Sequence, residues 1–217
     1  MRLNSLNQIP KIAKAGEQGQ RVVVVGSSGT GKSYLGRQLL MFGTNLHCLL
    51  IDLKDDTDIE KHLIQLCRKN ERIYITSDYN QAIKNLPYFR VVIYRPVIDY
   101  DDTNFYRNLD RDIYHFFLTV RNCAIFFDEA YLLHKGNGIN ALMTQSRSKN
   151  ITVFAMTQRP VNCPKTIMTE SNICFAFRLN IYDDLQTVSK NFGIQPNDVQ
   201  QLGQYEFLCT GITLNER

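Results

Sequence analysis

The sequence predicts an α/β fold, a largely parallel sheet with helices on both faces, and three observations predict it. Short apolar runs without polar alternation take turns with helix-patterned segments along the chain, as in strands buried on both sides. The first such run, Arg21 to Val25, breaks into a glycine-rich loop that ends in Gly31-Lys32-Ser33. The most apolar run, Asn122 to Phe127, leads into the carboxylate pair Asp128-Glu129, at the strand end where an open parallel sheet collects its ligands.

The elements follow in order. Residues 1–20 carry Pro10, Gly16 and Gly19 among polar residues and read as an irregular arm, with one P-loop-type domain expected over 21–217. After the strand over 21–25, Leu35, Leu39 and Leu40 set a helix over 32–42, closed by Gly43. A strand is expected over 47–53. Ile59, Leu63, Ile64 and Leu66 predict a helix over 58–69, followed by a strand over 72–76. The remaining expectations are a helix over 79–86, a strand over 89–94, a longer helix over 103–120, the strand over 122–127 and a helix over 138–147. Strands over 151–157 and 172–179, a helix over 182–191 and a last strand over 205–210 complete the reading.

Composition excludes several classes. A chain of 217 residues with 44% hydrophobic and 21% charged residues is neither disordered nor fibrous. The net charge of +4 permits a polyanionic partner without demanding one. The six cysteines (Cys48, Cys67, Cys123, Cys163, Cys174, Cys209) lack the close spacing of a zinc site and mostly lie in apolar runs, so reduced core thiols are expected. There is no opening signal-peptide pattern, and no apolar stretch approaches the ~18 residues of a membrane helix. A soluble protein is expected.

The chemistry concentrates in three segments. Gly26-Ser27-Ser28-Gly29-Thr30-Gly31-Lys32-Ser33 satisfies G-x-x-x-x-G-K-S/T between a strand and a helix start. Its backbone amides, with that of Tyr34 and the positive end of the helix dipole, suit the phosphates of ATP. Lys32 is expected to reach the β- and γ-phosphates and Ser33 to coordinate Mg²⁺. Asp128 is the candidate for the Mg²⁺ shell, through water, and Glu129 for the general base that activates the attacking water. Ile151 to Thr157 is a strand expected beside that of the phosphate loop, ending in Gln158-Arg159-Pro160, so that Gln158 lies near the γ-phosphate.

Together these segments resemble the FtsK/HerA superfamily of RecA-like P-loop motors, with Thr157-Gln158-Arg159-Pro160, Pro164-Lys165-Thr166-Ile167 and Asn172 to Leu179 resembling its C-terminal half. The likeness runs from about Arg21 to Gly211. In its short length the chain is most similar to the genome-packaging ATPases of internal-membrane icosahedral viruses. The resemblance implies a homo-oligomeric ring, pentamer or hexamer, that hydrolyses ATP to pump duplex DNA into a preformed capsid. Capsid vertex or portal proteins would be its partners, and the host cytoplasm or the virion its place. It also implies an arginine supplied by the neighbouring subunit, and Arg147, within Gln145-Ser146-Arg147-Ser148-Lys149, stands at the matching position, with Arg159 and Arg178 as rivals. Asn150 replaces a glycine common there, and asparagine tolerates the left-handed turn. Alternatives are another FtsK/HerA-type DNA export or conjugation ATPase, and a nucleotide-bound assembly factor that moves no DNA.

The remaining motifs read as ordinary surface, loop or core features. Leu133-His134-Lys135-Gly136-Asn137-Gly138 reads as a flexible loop that either couples hydrolysis to DNA grip or is an ordinary polar turn. The acidic stretch Lys54 to Asp58 is set outside any DNA path. Arg90, Arg95, Arg107, Arg111 and Arg121, interleaved with acids, read as solvated surface or a subunit interface. The four histidines share no ligand spacing, and Tyr114-His115-Phe116-Phe117 reads as helix core rather than a base-stacking platform.

Overall fold

The run of four valines after Arg21 forms the strand β2 (Arg21–Val25), buried along its length because the sheet is covered on both sides. Val23 and Val25 enter one apolar core while Val22 and Val24 enter the other, which removes any reason for polar alternation. The structure, a computed structural model, describes residues 2–3, 18–54, 57–67, 69, 71–98, 102 and 104–212. Residues 4–17 of the expected arm lie outside the described residues.

The remaining elements are β1 (Arg2–Leu3), α1 (Lys32–Phe42), β3 (Cys48–Asp52), α2 (Thr57–Leu66), β4 (Ile73–Thr76), α3 (Tyr79–Asn85), β5 (Val91–Tyr94), α4 (Phe105–Thr119) and β6 (Cys123–Asp128). They continue as α5 (Asn137–Gln145), β7 (Ile151–Thr157), α6 (Lys165–Glu170), β8 (Ile173–Phe177), α7 (Tyr182–Phe192), α8 (Pro196–Gln200) and β9 (Phe207–Thr210). Among the described residues the sheet order is β1-β9-β8-β2-β7-β6-β3-β5-β4. The strands from β8 to β4 in that order all run parallel, whereas β9 is antiparallel to both β8 and β1. The strand β2 sits between β8 and β7, so its carboxyl end opens between theirs.

The core facing α1 and α2 collects Leu35, Leu39, Leu40, Ile59 and Leu63. The opposite core takes Leu109, Ile113 and Phe116 of α4, Ile139 and Leu142 of α5, and Leu185 and Val188 of α7. Each such side chain contributes about 1.5–3 kcal/mol by leaving water. Cys48, Cys123, Cys163, Cys174 and Cys209 are buried. Burial raises the thiols of Cys48 and Cys163 to about 12, so they behave as small apolar side chains.

Three expectations need correction. Arg90 and Arg95 are not solvated. The Arg90 guanidinium donates to the carbonyls of Leu40 and Met41 (3.1 Å each), Thr44 (2.5 Å) and Leu46, closing the end of α1. Arg95 pairs with the buried Asp52 at 2.9 Å. The expected flexible loop over 133–138 is held down: Asp110 of α4 accepts from the amides of Gly138 (3.0 Å) and Ile139 (3.1 Å), capping α5 from outside. A Cβ at Gly138 would fall 2.1 Å from the Asp110 carbonyl oxygen, so glycine serves the close approach of α5 to α4 rather than mobility. The short helices α6 and α8, of six and five residues, have no counterpart in the sequence reading because neither completes enough turns to show a periodicity.

Candidate active site

The phosphate loop is suspended between the carboxyl ends of three strands. The Gly26 amide donates to the Thr157 carbonyl (3.3 Å) and the Ser27 amide to that of Arg178 (2.9 Å). Thr30 is buried and turns its hydroxyl onto the Ser27 carbonyl at 2.8 Å. Gly31 has φ 110, a conformation that L side chains rarely adopt, and it stands directly before α1. No acidic residue occupies the first turn of α1, so its positive end is left for an anion. Ser28, Gly29, Ser33 and Tyr34 are exposed on the rim of the loop.

Lys32 is buried, with its ammonium donating to the Ser27 carbonyl at 3.2 Å. Burial lowers its pKa, aided by the charge of Lys54, and the nearby Glu129 and Asp128 do not fully offset this. A buried cation whose charged form is disfavoured fits an incoming polyanion. Ser33 and Asp128 border one small void, which is otherwise lined mostly by apolar side chains of α1, α2 and the sheet.

Asp128 ends β6 and lies beside Asp52, its partner across the pair with β3. Glu129 follows in a left-handed conformation (φ 62, ψ 61) and is only 2% exposed. Its Oε1 accepts from Gln158 Nε2 at 2.5 Å and from Lys54 Nζ. Its Oε2 is buried without a hydrogen-bond partner among the described residues. Burial disfavours the charge on Lys54, but the hydrogen bond to Glu129 and the charges of Glu129 and Asp128 outweigh it and raise its pKa.

Lys32, Asp128, Glu129 and Gln158 therefore meet at one end of the sheet, with β7 beside β2 as the sequence leads one to expect. Lys54 was missed. Its signal was faint: it stands two residues beyond Asp52 at the end of a buried strand, within an acidic stretch that pointed away from phosphate chemistry. Arg147 is exposed in a 3₁₀ turn, Ser146–Lys149, before the amino end of β7, opposite the phosphate loop. Asn150 closes that turn at φ 54, the left-handed conformation expected of it. Arg159 pairs with the buried Asp184 at 3.0 Å, whereas Arg178 is exposed.

The chain is 28% identical over 193 residues to the DNA packaging ATPase P9 of Enterobacteria phage PRD1, covering 85% of this chain and 74% of P9. It superposes on the genome packaging NTPase B204 of Sulfolobus turreted icosahedral virus 2, in complex with sulfate, with a TM-score of 0.64 at 19% identity. That match covers 89% of this chain and 91% of B204. VirB4 of Thermoanaerobacter pseudethanolicus gives a TM-score of 0.61 at 8% identity, over 91% of this chain and 90% of VirB4. No protein-family model matches the chain. These likenesses bear out the P-loop NTPase fold and the resemblance to viral genome-packaging ATPases.

Proposed function

We propose that this chain is a Mg²⁺-dependent ATPase that drives duplex viral DNA into a preformed capsid, working as a homo-oligomeric ring of five or six subunits at a capsid vertex or portal. The observation that carries this reading is the buried, unpartnered Oε2 of Glu129 beside the phosphate loop. A site that served only to hold nucleotide has no use for a desolvated base there. The names of P9 and B204, a packaging ATPase and a packaging NTPase, support DNA as the cargo. The host cell or the virion is the corresponding location, and no helix among the described residues is long and apolar enough to cross a membrane.

In this reading the loop amides and Lys32 hold the triphosphate. Glu129 Oε2 takes the proton of a water whose oxygen bonds to the γ-phosphorus as the bond to ADP breaks. Lys54 and Gln158, both bound to Oε1, fix the carboxylate plane so that Oε2 is the oxygen left to act. Mg²⁺ held through Ser33 and Asp128 would supply neutralising charge on the phosphates when bound. Arg147 would act in the site of the next subunit, adding a cation as charge develops on the γ-phosphoryl oxygens.

Steady-state ATP hydrolysis, with and without long duplex DNA at two salt concentrations, tests the proposal. The expected result is turnover that DNA stimulates and that salt makes indifferent to DNA, because salt displaces contacts to phosphates. Glu129→Gln is expected to retain ATP affinity and to lose roughly 10²- to 10⁴-fold in turnover. Full turnover in that variant removes Glu129 from the mechanism.

A further inference from the structure

We infer that Tyr205 is the platform on which the base of the bound nucleotide stacks, so that this site reads the flat face of the base rather than its hydrogen-bonding edge. The inference rests on the nucleoside triphosphate reading of the phosphate loop.

Because β9 runs against β8, its first residue, Phe207, lies opposite Phe177, the last residue of β8. The segment that enters β9 is thereby delivered to the end of the sheet that carries the phosphate loop. It is fastened there: the Tyr205 amide donates to the Thr30 carbonyl at 3.0 Å, and Gln204 Nε2 donates to that of Gly29 at 3.5 Å. The Tyr205 ring lies against Gly31, close enough that a Cβ on Gly31 would stand 2.8 Å from Tyr205 Cδ1.

The direction of the nucleotide follows from the sheet order. Glu129 and Gln158 mark the γ-phosphate side, at the ends of β6 and β7. The triphosphate lies over the loop that follows β2. Its nucleoside end therefore points to the flank of β8 and β9, where Tyr205 stands.

The ring packs only in part. Tyr205 is 57% exposed, while Phe177 and Phe207, paired across β8 and β9, are buried and in contact at 5.2 Å between centroids. Tyr34, the other exposed aromatic of the loop, is engaged with the His62 ring at 5.9 Å. Tyr205 also holds φ 63, a left-handed conformation that a bulky residue adopts at a cost and that glycine would adopt freely. An exposed ring on a tethered segment at the rim of a phosphate loop is what stacking requires. Stacking tolerates any base with a π-face, so ATP and GTP should bind alike.

The test compares wild type, Tyr205→Gly and Tyr205→Phe by equilibrium binding of ATP, GTP and inorganic tripolyphosphate. Tyr205→Gly relieves the backbone while removing the ring, so it keeps the fold. It should weaken ATP and GTP by about 5- to 150-fold, leave tripolyphosphate unchanged, and be rescued by Tyr205→Phe. The chain has no tryptophan, so Tyr205→Trp adds a single reporter whose fluorescence should respond to ATP and not to tripolyphosphate. Equal weakening of ATP and tripolyphosphate would mean that Tyr205 only shapes the loop, and unchanged ATP affinity would mean that it does neither; each overturns the inference. A wild-type protein that binds neither ligand fails at the phosphate loop itself and removes the inference with it.

Discussion

Glu129 holds a left-handed backbone that costs a non-glycine residue about 1–3 kcal/mol, and the packing around Ala130 and the bonds to Oε1 keep it there. Such strain is tolerated where it aims a side chain, here a carboxylate with one oxygen tied and one free. Lys54 is the partner whose contribution is measurable through pH. Its folded pKa is raised above the ordinary 10.5, so the ion pair stabilises the fold fully below that value and is lost only as pH rises through the higher folded value. Lys54→Met should therefore be less stable than wild type by an amount that stays constant from pH 7 to 9, measured by chemical denaturation. A deficit that fades within that window would show that Lys54 sheds its proton early and does not hold Glu129. Glu129 was legible in the sequence because a local pattern, an apolar strand ending in two acids, announces it. Lys54 was not, since its meeting with Glu129 depends on β3 lying next to β6, with Asp52 opposite Asp128, and no local spacing encodes a strand neighbour.

At the scale of elements, local pattern determines what forms and tertiary contact determines how it is held. The strands β2 and β7 and the helix α1 agree residue for residue with the expectation, because uniform burial marks the two strands while Gly26, Gly31, Gly43 and the left-handed Asn150 stand at their boundaries. The link from β6 to α5 was misjudged because its glycines look mobile in sequence, while in the fold they admit Asp110. That carboxylate caps α5 from a helix almost thirty residues earlier, and it lies on the segment that leaves Glu129. Asp110→Ala should therefore cost about 0.5–2 kcal/mol, as loss of a helix cap does. It should also speed hydrogen exchange at Gly138 and Ile139 while sparing the amides of β2. Unchanged exchange at those two amides would mean that packing between α4 and α5 alone holds the loop.

For the molecule as a whole, the parallel sheet separates two ends that the chain by itself cannot bring together. The phosphate loop, Glu129 and Gln158 lie at the carboxyl end, while Arg147 precedes the first residue of β7 at the amino end. Seven residues of β7 lie between Arg147 and Gln158, roughly 20 Å of extended chain. The placement has a second witness at Arg21, the first residue of β2, whose pKa is lowered by burial and then by the charge of Arg147. The turn that carries Arg147 is braced: the Asn122 amide donates to the Lys149 carbonyl at 3.0 Å, and Lys149 Nζ donates to the Phe117 carbonyl at 2.6 Å. An exposed arginine on a braced turn, remote from its own phosphates, suits a ring in which each subunit offers that end to the next one's nucleotide. Arg159 fits less well, because its pairing with the buried Asp184 engages its charge within the chain. Two inactive variants then separate action within a subunit from action between subunits. In the proposed mechanism Arg147→Ala lacks the donor and Glu129→Gln lacks the base, so a mixed ring would contain interfaces in which a wild-type Arg147 faces a wild-type Glu129. Hydrolysis should reappear on mixing, rising and falling with the fraction of such interfaces. Mixed rings verified by mass that stay inactive would place the function of Arg147 within its own subunit, or outside the reaction.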